Sequence, residues 1–88
     1  MAAAKVEYKL SVAGDLDRLD RAVALRILEK IERTLAEEGG SGEPLAGEFA
    51  DLFRLRVEDY RVIYARMSGG FLVLRIGRRG DVYRRGRP

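Results

Sequence analysis

Six apolar residues, Leu16, Leu19, Val23, Ile27, Ile31 and Leu35, recur at steps of three and four. That spacing is the stripe of an amphipathic helix, and a helix with one apolar stripe must bury it against an apolar surface elsewhere in the chain. The rest of the sequence supplies that surface with a period of two. In residues 4–12, Val6, Tyr8 and Leu10 alternate with Lys5, Glu7 and Lys9, the pattern of a half-buried strand. FRLRV at 53–57 sets Phe53, Leu55 and Val57 against Arg54 and Arg56. Residues 60–67 set Val62 and Tyr64 against Arg61 and Ile63. Residues 71–78 set Leu72, Leu74 and Ile76 against Phe71, Val73 and Arg75.

Breaks between these segments carry ordinary turn chemistry. Gly14 and Asp15 end the first strand, and Asp15 is expected to cap the next helix. GGSGEP at 39–44 stops the helix: Gly39 suits the residue after the last turn, and Pro44 prevents a restart. Glu58 and Asp59 form a tight turn, and Ser68, Gly69 and Gly70 a hairpin. The helical phase runs unbroken through Asp20. The spacing therefore allows one helix over residues 15–38, or two with Asp20 capping the second. Either way the layout is α+β, with helices on one face of a mainly antiparallel sheet. Arg54, Arg56 and Arg61 then emerge on the other face, with Arg79 just past the last strand. Strands lie about 4.8 Å apart, so side chains from three of them can converge on one phosphate.

A chain of 88 residues makes one domain, 1–88, with a basic tail at 83–88. It is long enough to bury roughly 60–65% of its unfolded surface. It contains neither cysteine nor histidine, which removes disulfides and thiolate or imidazole zinc sites, so no metal or other cofactor is expected. No apolar run approaches the roughly 18–20 residues of a membrane span. MAAAKVEYKL lacks the basic and apolar regions of a signal peptide, so a cytoplasmic protein without a membrane partner is expected. Asn and Gln are absent and Arg outnumbers Lys 14 to 3, which fits heat adaptation and equally a GC-rich genome.

The net charge of +3 is unevenly spread. Residues 1–50 hold seven basic and ten acidic side chains; residues 51–88 hold ten basic, all Arg, and four acidic. Guanidinium is always charged and matches phosphate in a bidentate way, so an Arg-only cluster suits nucleic acid. A solvated surface explains the same charges. GRRGDVYRR at 77–85 adds an aromatic that solvation does not require. A tyrosine is a poor base at neutral pH, with a pKa near 10, and nearby positive charge favours its phenolate. Arg54, Arg56, Arg61, Arg78, Arg79, Arg84 and Arg85 are the candidates to supply that field around Tyr83. The plainer alternative packs the Tyr83 ring on the sheet edge.

LFRLRVEDYRVIY at 52–64, a Gly-Gly turn, and LVLRIGRRGDVYR at 72–84 resemble the RelE/ParE toxin superfamily, most of all its RelE branch. LDRAVALRILEKIERTL and PLAGEF extend the resemblance upstream, so that it covers residues 6–84. It implies a β-α-α-β-β-β order, with a helix break near Asp20 and two helices packed on one face of a four-stranded, mainly antiparallel sheet. It also implies a ribosome-dependent endoribonuclease that cuts mRNA in the A site without a metal. In that chemistry the ribose 2′-OH attacks the adjacent phosphate, leaving a 2′,3′-cyclic phosphate and a 5′-OH. By the resemblance, Arg61 stabilises the reacting phosphate, Arg79 donates a proton to the leaving oxygen or stabilises charge there, the second being favoured because a guanidinium is a reluctant acid, and Tyr83 is the base. Arg54 grips phosphate with help from Arg56, and Arg78, Arg84 and Arg85 add RNA contacts. Arg78 stands where many relatives carry His, and the segment from Arg79 to Tyr83 is short. The implied partners are the ribosome, mRNA and an acidic antitoxin. Two other functions compete: a ParE-like toxin acting on DNA gyrase, and a non-catalytic basic RNA-binding module.

Overall fold

The computed structural model describes residues 4–37, 39, 42–45 and 51–78. Along the chain these form β1 (Lys5–Tyr8), α1 (Leu10–Asp17), α2 (Arg21–Ile31), β2 (Glu43–Pro44), β3 (Leu52–Val57), β4 (Tyr60–Met67) and β5 (Gly70–Arg78). The helix break falls where the resemblance implied it, with Asp20 at the N-cap position of α2. After Ile31 the helix widens into π-type turns over Glu32–Glu37. Gly39 has a φ of 78°, a left-handed conformation that glycine adopts without steric cost.

The first strand is shorter than its alternation suggested. β1 ends at Tyr8, and residues 10–17 are helical, so Gly14 and Asp15 lie inside α1 rather than at its start. Leu10, read as an inward strand residue, is 88% exposed. Its next two neighbours give the reason. Val12 points into the core, and Ser11 donates its hydroxyl to the Leu74 carbonyl at 3.0 Å. These contacts hold α1 across the end of β5, and the local alternation gives way to them.

Among the described residues the sheet has five strands in the order β1-β5-β4-β3-β2, not four; it is mainly antiparallel, as expected, with one parallel pair. β1 runs parallel to β5, with Lys5 opposite Gly70 and Tyr8 opposite Val73. A parallel pair needs a long crossover, and here the two helices lie between the first strand and the last three. The fifth strand is β2, only two residues long, pairing Glu43 with Arg54 and Pro44 with Phe53. Proline tolerates such a place because an edge strand leaves one side of its backbone unpaired.

The core lies between helices and sheet. Val12, Ile27, Ile31 and Leu35 pack against Leu55, Val57, Val62, Tyr64, Phe71, Val73 and Ile76. Each fully buried aliphatic side chain contributes about 1.5–3 kcal/mol, so the stripe at 27, 31 and 35 is the main glue between layers. Leu16, Leu19 and Val23 pack at its margin. The alternation expected along β5 holds only at its start. The ladder to β4 steps from Ile63–Arg75 to Tyr64–Val73, which leaves Leu74 as an extra residue. Such a bulge reverses the side on which later residues fall. Ile76 therefore joins Phe71 and Val73 towards the helices, while Leu74 packs with Ile63, flanked by Leu45, Leu52, Ala65 and Leu72, in a second, smaller cluster. Among the described residues no helix is long and apolar enough to cross a membrane.

Candidate functional site

On β3 and β4 the expected alternation holds, and it decides where the arginines go. Leu55 lies opposite Val62 on the helix side; Arg54 lies opposite Ile63, and Arg56 opposite Arg61, on the other. Those three arginines and Glu43 of β2 line one cleft of about 210 Å³. Arg61 sits lowest, with only 7% of its surface exposed. Its Nη1 donates a long hydrogen bond of 3.4 Å to the Tyr60 carbonyl. Arg54 is half-buried and its Nη2 reaches Glu43 Oε1 at 3.5 Å, while the Glu43 side chain is 77% exposed. Arg56 is exposed. Among the described residues the cleft is lined by three guanidiniums and one carboxylate.

Two features give this arrangement a chemical meaning. Like charges directly opposite one another on adjacent strands destabilise a sheet, and Arg56 faces Arg61 in that way. Guanidiniums converging from two strands also offer the bidentate geometry that suits phosphate oxygens.

The position of β2 is fixed from inside the protein. Tyr64 is the largest fully buried side chain among the described residues. Its ring stacks on Phe53 at 5.5 Å and meets Phe71 edge-on at 5.5 Å. Its hydroxyl accepts the Gly42 N–H at 3.0 Å. A Cβ at Gly42 would lie 2.6 Å from both the Arg54 carbonyl oxygen and the Tyr64 hydroxyl, so only glycine fits there without displacement. Glu43 is the next residue, and is brought over Arg54 by this anchor. The sequence offered GGSGEP only as a loop. The signal that Glu43 enters the site is its proximity to Pro44 on an edge strand, which the periodicity of a two-residue element cannot reveal.

Arg78 goes elsewhere. It pairs with Tyr60 across the sheet and places its guanidinium 5.4 Å from the centre of that ring, on the face where Tyr60 adjoins the main core. It is therefore not among the residues of the arginine cleft. Arg79, Tyr83, Arg84 and Arg85 lie outside the described residues.

A family model described as "ParE toxin of type II toxin-antitoxin system, parDE" matches residues 6–83. The chain belongs to the RelE/ParE toxin family. Among solved structures it is similar to the toxin–antitoxin complex RelBE2 from Mycobacterium tuberculosis. There the TM-score is 0.74 and the identity 25%, over 92% of this chain and 97% of that one. It is also similar to the archaeal RelE–RelB complex from Pyrococcus horikoshii OT3, with a TM-score of 0.60 and 26% identity over 89% and 97% of the two chains. The RelB–RelE antitoxin–toxin complex from Methanococcus jannaschii shares the fold at a TM-score of 0.66 and 16% identity, over 92% and 99%. No curated protein matches the sequence. In this chain the cleft of Arg54, Arg56 and Arg61 lies on the side of the sheet away from α1 and α2.

Proposed function

We propose that this RelE/ParE-family toxin blocks translation by cutting mRNA in the ribosomal A site. The observation that carries the reading is the opposition of Arg56 and Arg61 in one cleft with Arg54. Guanidiniums brought together from two adjacent strands match the oxygens of a phosphodiester in a bidentate way. In the proposed reaction the ribose 2′-OH attacks the adjacent phosphorus and gives its proton to the Tyr83 oxygen. The bond to the 5′ oxygen breaks, and that oxygen takes up a proton from water. The products are a 2′,3′-cyclic phosphate and a 5′-OH. Arg61 stabilises the charge that grows on the phosphorane, a contribution that is often the largest in such sites. Arg79 does the same at the leaving oxygen; with a pKa above about 12, a guanidinium is a reluctant acid. An acidic antitoxin is the proposed partner, in keeping with the antitoxins bound in the M. tuberculosis and P. horikoshii structures.

Primer extension on ribosome-bound mRNA tests the reading. Wild type should give A-site cuts, and Arg61→Ala and Tyr83→Phe should each reduce them by about 100-fold or more, with thermal melts confirming that the variants fold. Undiminished cutting by both variants overturns it. The family model favours a second reading, a toxin that acts as ParE proteins do on DNA gyrase. Inhibition of gyrase supercoiling by wild type, with no A-site cuts, would establish that function instead.

A further inference from the structure

A second cleft, of about 330 Å³, opens on the opposite side of the β3 edge, between α2 and the turn after β3. Its walls carry Arg26, Lys30 and Arg33 of α2 and its π-type extension, Arg56 of β3, and two carboxylates, Glu29 and Glu58. Residues 26, 30 and 33 are spaced by four and three, so they form one stripe of the helix, beside the stripe of Ile27 and Ile31 that enters the core. Arg26 is engaged: its Nε and Nη2 donate to Glu58 at 2.7 and 3.2 Å. The ion pairs among the described residues use Arg26, Arg54 and Arg75, so Lys30, Arg33 and Arg56 remain outside them.

Arg56 lines both clefts. It is exposed, and it stands where β2 no longer covers β3, since the pairing of β2 stops at Arg54. Among the described residues, the Arg56 side chain and the β3 edge beyond Arg54 lie between the two clefts. Among the described residues, six cationic and three carboxylate side chains line the two clefts. A charged groove that tracks a backbone is how proteins hold single-stranded nucleic acid irrespective of its sequence.

We propose that the cleft between α2 and the β3–β4 turn is a second phosphate subsite, holding a flanking phosphate of the RNA strand whose reacting phosphate lies at Arg61. The strand crosses from one face of the sheet to the other over the edge of β3, with Arg56 between the two phosphates. This rests on the mRNA-cleaving reading above, and it adds that the toxin grips its substrate on a surface outside the reaction centre. Lys30 and Arg33 act there by charge and touch no reacting atom.

The test is binding of 2′-O-methyl RNA, which lacks the attacking hydroxyl, to the full chain across a salt series. Fluorescence anisotropy compares a dinucleotide, which carries a single phosphodiester, with a decanucleotide. For single strands the slope of log K against log salt is about −0.7 for each phosphate neutralised. Lys30→Gln/Arg33→Gln should make the decanucleotide slope shallower by about 0.7, the share of one phosphate, and leave dinucleotide binding unchanged. Lys30→Arg/Arg33→Lys should retain the wild-type slope. Arg61→Ala should weaken both oligonucleotides. An unaltered decanucleotide slope in the Gln double variant overturns the second subsite, even if Arg61→Ala behaves as expected. An unaltered affinity in Arg61→Ala instead tells against the reaction centre. If the Gln double variant weakens binding of an acidic helical peptide while RNA binding is untouched, the cleft is a protein-docking surface and the RNA path is wrong.

Discussion

One edge of the sheet ends on β1 and a buried carboxylate; the other ends on two residues of β2. At the first edge, β1 pairs with β5 up to Tyr8, and the Lys9 N–H still reaches the Val73 carbonyl at 2.8 Å. Beyond that point Asp15 of α1 takes over. Its Oδ2 accepts the Ile76 N–H at 2.9 Å, and its two oxygens accept Nε and Nη2 of Arg75 at 3.1 and 3.2 Å. The backbone donor that a longer β1 would have satisfied is satisfied by a side chain, and a strand edge closed in this way cannot recruit another chain. At the second edge β2 covers β3 only as far as Arg54, and what emerges there is charge: Arg54, Arg56 and the two clefts that share Arg56. The comparison teaches that the first edge matches its arginine to a buried carboxylate, whereas the second gathers Arg54, Arg56 and Arg61 beside a mostly exposed Glu43.

Asp15→Ala should have the largest effect, because it breaks the sealed edge. It leaves the Ile76 N–H and the mostly buried Arg75 guanidinium without their acceptor, and a buried ion pair broken from one side costs about 3–5 kcal/mol. Urea unfolding should show that loss, with Asp15→Asn recovering part of it through its remaining acceptor. A loss under about 1 kcal/mol would mean the edge is sealed by β1 and helix packing alone. Gly42→Ala comes next and acts on the open edge. The new Cβ must push away the Arg54 carbonyl or the Tyr64 hydroxyl, at a cost of about 1–3 kcal/mol. Since Glu43 and Arg54 shift with it, cutting or RNA binding should fall as well. Stability loss with full activity would uncouple the cleft from the position of β2.

The smallest effect belongs to the exposed pair of Arg26 and Glu58. The hydrogen bond from Arg26 holds the Glu58 carboxyl below its usual range. A lowered folded pKa contributes stability above the unfolded carboxylate value, near 4.3, and loses it as pH falls through the lower folded value. Solvent screening leaves little of this in an exposed pair. Arg26→Ala should therefore move the Glu58 titration upward in a carboxyl NMR experiment while the unfolding midpoint at neutral pH stays in place. A midpoint shift would show that the β3–β4 turn, where Glu58 itself has a φ of 54°, is held by this bridge.

Local pattern was readable wherever one element faces one surface. The stripe from Leu16 to Leu35, the alternation of β3 and β4, the stop at Gly39 and the turn at Glu58 are all set by residues close in sequence. So was the convergence of Arg54, Arg56 and Arg61, because a period of two puts them on one face. What escaped was set by partners far along the chain. Asp15 reads as a cap by its own chemistry, but its partners are 60 and 61 positions away at Arg75 and Ile76. The bulge at Leu74 has no composition of its own, yet it decides the side on which Ile76 lies. The two-residue β2 is too short for any period, and Arg78 reaches Tyr60 only because the bulged ladder turns it to that face. The RelE/ParE resemblance supplied the helix break at Asp20, which the unbroken stripe could not.

The parallel pairing of β1 with β5 bears on when the sheet can close. Residues 5–8 close on residues 70–73, so the first strand has no ladder to join until the last has been made. A nascent chain holds helices and a hairpin but not the finished sheet, and contacts this distant in sequence are slow to form. The sheet therefore closes only once β5 has left the ribosome, and the two strands that meet last are the two furthest apart in the chain.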